Sequence, residues 1–115
     1  MADYYDTNLA TIEGLEIPKR ASNSTHVFHQ YTLKIKNGKR DELQQYLESK
    51  EIPSMIYYPL PLYKQEAFEG YVAKDFSLPN TEMLCNEVIS LPIHTEFNEE
   101  VSQSIISEIK SFFTK

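Results

Sequence analysis

The residues with chemical potential in this chain are three histidines, one cysteine and a run of tyrosines and prolines between positions 52 and 65. His26 and His29 stand three apart, and on a strand an odd spacing sends them to opposite faces, so chelation by that pair is not expected. His29 falls in the alternating series Val27, His29, Tyr31, Leu33, Ile35, where a satisfied core histidine is the expectation and a ligand contact the alternative. His94, after Leu91-Pro92-Ile93, reads as an exposed loop residue with no identifiable partner. Cys85 lies within a helical pattern and has no adjacent base, so it reads as a small packing residue rather than a nucleophile. A single cysteine also excludes an internal disulfide and a cysteine-rich zinc site. Gly14, Gly38 and Gly70 are too far apart to cradle a phosphate, and no G-x-S-x-G elbow offers a hydrolase serine. The acidic pairs Asp41-Glu42 and Glu99-Glu100 are accounted for by the dipoles of helices that begin there.

The run Ile52-Pro53-Ser54-Met55-Ile56-Tyr57-Tyr58-Pro59-Leu60-Pro61-Leu62-Tyr63-Lys64-Gln65 holds three prolines, three tyrosines and no acid. Pro59 and Pro61 fix two φ angles and remove two N–H donors, which favours a stiff extended segment outside any central ladder. Ser54 to Tyr58 reads as a strand on which Tyr57 and Tyr58 point to opposite sides, one packing inward and one reaching a ligand or partner. Turn structure with core packing is the alternative reading of the whole run.

The elements that must position these groups follow from periodicity. Tyr5, Leu9 and Ile12 predict a helix from Ala2 to about Glu13, stopped by Gly14. Residues Val27 to Lys36 alternate as a strand, and Asn37-Gly38 turns the chain into a helix with Leu43, Tyr46 and Leu47 on one face, ending near Glu51. A helical turn is expected around Tyr63 to Phe68. A helix starting at Pro79-Asn80 has Met83, Leu84 and Val88 as its apolar side, and a strand follows from Val88 to Leu91, ended by Pro92. Asn98 caps a closing helix striped by Val101, Ile105, Ile109 and Phe112. The fold class is α+β: a small, mainly antiparallel sheet of three or four strands with helices packed mostly on one face.

With 115 residues the chain suits one domain, residues 1–115. Eleven basic against seventeen acidic residues give a net charge of −6, the wrong sign for a nucleic-acid partner. Apolar stretches are short, and no basic segment followed by an apolar one opens the chain, so neither membrane nor secretion is expected and the cytoplasm is the default.

The tyrosine-proline run resembles the signature stretch of the DegT/DnrJ/StrS group of pyridoxal-phosphate aminotransferases acting on nucleotide sugars, where Tyr-Pro-x-Pro-Leu-His-x-Gln is typical. His26-Val27-Phe28-His29-Gln30-Tyr31 is similar to that family's first small-domain strand, Arg40-Asp41-x-Leu43 to its following helix start, and Ser90-Leu91-Pro92-Ile93-His94 to its late strand and loop. Two departures stand out: Tyr63 replaces the usual histidine, and Glu51 replaces a common glycine.

The resemblance implies the C-terminal small domain of a longer, fold-type I enzyme whose large N-terminal domain is missing here. A lysine of that domain would hold pyridoxal 5'-phosphate and an acid would pair with the ring nitrogen. The parent would transfer an amino group from an amino acid, expected to be glutamate, to a keto nucleotide sugar used for cell-surface polysaccharides. Tyr57 and Tyr58 are implied to lie near the sugar and its diphosphate, with His29, Tyr63 and Gln65 as secondary substrate-binding candidates. No catalytic, cofactor-binding or metal-binding residue is expected, because Lys34, Lys36 and Lys39 lie in polar surroundings that would not activate an amine, so the isolated domain is expected to be inactive. A homodimer, or an exposed apolar patch where the large domain sat, is expected. The alternative function is a stand-alone small-ligand-binding or regulatory module.

Overall fold

The computed structural model describes residues 1–96 and 98–114. Helix α1 spans Ala2–Leu9, strand β1 Leu15–Glu16, β2 Tyr31–Ile35, α2 Arg40–Ser49, α3 Pro79–Glu87, β3 Val88–Leu91 and α4 Glu99–Phe113, with 3-10 turns at Leu62–Lys64 and Glu66–Phe68. The strands form a three-stranded antiparallel sheet in the order β1-β2-β3. Its register sets Leu15 opposite Ile35, Tyr31 opposite Leu91 and Leu33 opposite Ile89. Met55 adds a lone backbone bridge to Ser90.

Alternation along β2 places Tyr31, Leu33 and Ile35 on one face, all fully buried. They pack with Tyr5 and Leu9 of α1, Leu43 and Leu47 of α2, and Ile105, Ile106 and Ile109 of α4, so the core lies between one sheet face and three helices. The other face is polar: Thr32 and Ser90 share a hydroxyl hydrogen bond of 2.9 Å, and Lys34 reaches Glu16 at 2.7 Å. Asn98 caps α4 as expected, its side chain accepting from the Val101 N–H.

Helix α2 ends in a Schellman turn, with the Glu51 N–H donating to the Glu48 carbonyl and the Ile52 N–H to the Leu47 carbonyl at 2.9 Å each. That turn needs a left-handed residue, and Glu51 supplies it at φ 58°. The geometry explains why glycine suits the position.

Four expectations are corrected. Strand β2 begins at Tyr31, not Val27, because its partner β3 ends at Leu91 and Pro92 has no N–H to continue the ladder. Val27 is therefore 89% exposed, and His29 is an exposed residue rather than a core histidine. Ser54 to Tyr58 is no strand beyond the single Met55 bridge, since Pro53 and Pro59 flank it without donors. In α3 only Cys85 is buried, whereas Met83 and Leu84 face solvent. The buried stripe of α4 is Ser102, Ile105, Ile106 and Ile109, one position round from the predicted one, which leaves Val101 51% exposed.

Candidate functional site

Tyr57 and Tyr58 follow the Met55 bridge and precede Pro59 and the buried Pro61, so the chain holding them is fixed at both ends. Their rings do not diverge to opposite sides. They lie 6.0 Å apart, edge to face, and are 40% and 73% exposed. Among the described residues neither hydroxyl has a hydrogen-bond partner, which leaves two phenols able to donate to sugar or phosphate oxygens.

Tyr63 is differently placed. Its hydroxyl donates to the Glu82 carboxylate and accepts from the Leu78 N–H at 3.3 Å, while its ring meets Phe76 edge-on at 5.1 Å. Hydrogen bonds from Tyr63, Lys64 and Ser77, in that order of importance, hold the Glu82 carboxyl down at about 2. Tyr63 and Gln65 line one groove of about 760 Å³ with Glu66, Glu69 and Lys74. The acid-free run therefore opens into a groove with two carboxylates, which weakens the case for an anion there.

His29 lines a separate pocket of about 400 Å³ with Phe28, Ile93 and His94. His94 is exposed as expected, yet it has a partner: its Nδ1 accepts from the Glu96 N–H at 3.0 Å. The five candidates thus divide into Tyr57 with Tyr58, Tyr63 with Gln65, and His29 apart from both, beside His94. Among the described residues no group of histidines, cysteines and acids is arranged to hold a metal.

Glu82 escaped sequence reasoning, and Arg40 was read there only as part of a helix-start motif. Glu82 looked like an ordinary acid in a helix's first turn, and no sequence signal marked it out. Arg40 did carry a signal, because a cation at a helix N-terminus opposes the dipole. It is buried, and its Nη1 donates to the carbonyls of Cys85 at 2.9 Å and Val88 at 3.1 Å, joining α2 to the end of α3.

Among the described residues none fits the part of the lysine that would hold a pyridoxal cofactor. Imine formation needs a neutral amine sheltered from water, and none of the described lysines is buried. Lys36 and Lys50 are instead shifted upward, first by hydrogen bonds to Glu87 and Glu108 respectively, which hold the amines charged.

Among known proteins, the chain is 43% identical to a pleiotropic regulatory protein of Geobacillus stearothermophilus, across 84% of this chain and 25% of that one. It is 32% identical to a UDP-N-acetyl-3-dehydro-alpha-D-glucosamine 3-aminotransferase of Acidithiobacillus ferrooxidans, across 95% of this chain and 28% of the relative. Its fold is similar to a crystal structure of S. venezuelae DesV in complex with a ketimine intermediate, with TM-score 0.90, 27% identity, and coverage of 99% of this chain and 30% of that one. The chain therefore spans between a quarter and a third of the length of these proteins. The DegT/DnrJ/EryC1/StrS aminotransferase family model matches residues 1–110, and with the fold and motif order agreeing, the chain belongs to that family.

Proposed function

We propose that this chain is the C-terminal small domain of a longer pyridoxal-phosphate-dependent enzyme that moves an amino group, from glutamate, to a keto group of a nucleotide sugar for cell-surface polysaccharides. The observation that supports this most is the match of nearly the whole chain to about 30% of the length of such relatives, with the tyrosine-proline run present but for Tyr63 in place of histidine. In this reading the cofactor amine comes from outside these residues, and the chain contributes pocket wall: the free hydroxyls of Tyr57 and Tyr58 orient the sugar and its diphosphate. Gln65 is a secondary contact, and His29 serves only if the parent closes over its pocket. The cytoplasm and a homodimer fit an enzyme that uses soluble nucleotide sugars.

The test uses the product of the complete gene with pyridoxal phosphate, glutamate and a panel of 3-keto and 4-keto nucleotide sugars. Conversion of one ketone to the amine, with 2-oxoglutarate as co-product, is the expected result by mass spectrometry. No amino sugar from any member of the panel overturns the reading.

A second reading, a regulatory module, draws on the 43% identity to a protein named for regulation. It predicts that this chain alone binds a small ligand tightly without cofactor. Calorimetry with nucleotide sugars separates the two, because a pocket wall without its partner domain should bind them weakly.

A further inference from the structure

Residues 63 to 78 leave the body as a loop whose larger apolar side chains face solvent, with Tyr71 87% and Phe76 46% exposed. Hydrophobic burial therefore does little to fix its course. The polar bonds that do so converge on one carboxylate. At one end of the loop the Tyr63 hydroxyl donates to Glu82 Oε1, and Lys64 Nζ lies 3.1 Å from Oε2. At the other end Ser77 Oγ donates to Oε1 at 3.0 Å, and the Leu78 N–H donates to the Tyr63 hydroxyl at 3.3 Å. Glu82 belongs to the first turn of α3, so both ends of the loop are tied to the body at one point.

Pro59 and the buried Pro61 make a stiff link from Tyr58 to Leu62, where the tied region starts. The attitude of the tyrosine pair is thus set by the Met55 bridge on one side and, through this stiff link, by where Tyr63 is held on the other. We propose that Glu82 is a positioning residue that closes the 63–78 loop and thereby fixes Tyr57, Tyr58 and Gln65 in the attitude that meets a nucleotide sugar. This rests on the functional reading above. Glu82 is not among the buried residues, so its replacement by glutamine leaves the packing of the core in place.

Two variants test it, Glu82→Gln and the milder Tyr63→Phe. In the complete enzyme each should raise KM for the nucleotide sugar, about tenfold for Glu82→Gln, with kcat nearly unchanged. The double variant should be little worse than Glu82→Gln, because both changes remove the same tie. In the 115-residue chain, chymotrypsin should cut after Tyr71 and Phe76 faster in both variants while the melting temperature of the body holds. Unchanged KM and cleavage, or a melting temperature that falls with them, overturns the proposal. If the wild-type enzyme turns over no nucleotide sugar, the functional reading fails and the positioning role with it. Faster cleavage would still report loop closure by Glu82, so the two failures stay distinguishable.

Discussion

Along β2, Tyr31, Leu33 and Ile35 are fully buried, whereas in the stretch after Met55 Tyr58 is 73%, Leu62 62% and Tyr71 87% exposed. Both regions are rich in rings and branched chains, but only the first finds helices to cover it. The body is held by apolar burial and the projecting stretch by a bridge, two prolines and one carboxylate. Extents of 50 × 37 × 24 Å and a radius of gyration of 16.0 Å, against roughly 13 Å for a compact domain of this size, reflect that projection. The contrast teaches that apolar composition alone does not tell a core from a surface shaped for something else. An exposed apolar stretch is also what a domain expected to work against a larger partner would display.

The contrast breaks most readily if large truncations cost the same in both regions. Ile106→Ala, in the core, should destabilise the chain by about 2–5 kcal/mol, whereas Leu62→Ala should stay within about 0.5 kcal/mol, both read from urea denaturation. Equal losses would mean that the projecting stretch is part of the core. Next in size, Arg40→Ala should cost about 1–3 kcal/mol, because it strips donors from the carbonyls of Cys85 and Val88. Glu51→Gly should have the opposite sign and stabilise the body by about 1 kcal/mol, since glycine adopts the left-handed turn without a Cβ penalty.

The smallest effect sharpens the view of the projecting stretch. The Glu82 carboxyl sits at about 2, below its ordinary value of 4.5. For a depressed carboxyl, the stabilisation is present above the unfolded pKa and is lost as pH falls through the folded one. The loop tie should therefore hold from pH 8 to about 5 and loosen only as pH approaches 2, visible as a shift of the Leu78 amide resonance. Tyr63→Phe should raise the Glu82 titration towards the ordinary value.

The helices and the central strand were legible because periodicity reports burial, and Asn98, Leu43 and Leu47 occupy the positions their spacing predicted. The start of β2 was not, since it depends on where β3 stops and Pro92 removes a donor, and neither fact is local to Val27. Met83 and Leu84 misled for a related reason: their spacing marks an apolar face, but the core cluster reaches neither of them. Within the site, the residue types of the tyrosine-proline run stood out, while the pairing of Tyr63 with Glu82 across 19 positions left no trace in the sequence. The burial of Tyr5 was legible from its helical spacing. The Tyr5 hydroxyl's bond to the Pro92 carbonyl at 2.8 Å was not, nor was the upward push that burial gives this phenol's pKa.

The central claim is that these residues supply pocket wall and no amine for the cofactor. Incubating the 115-residue chain with pyridoxal phosphate, reducing with borohydride and mapping the adducts by mass spectrometry tests it directly. Sparse labelling spread over several exposed lysines is the predicted result, and stoichiometric labelling of a single lysine would contradict the account.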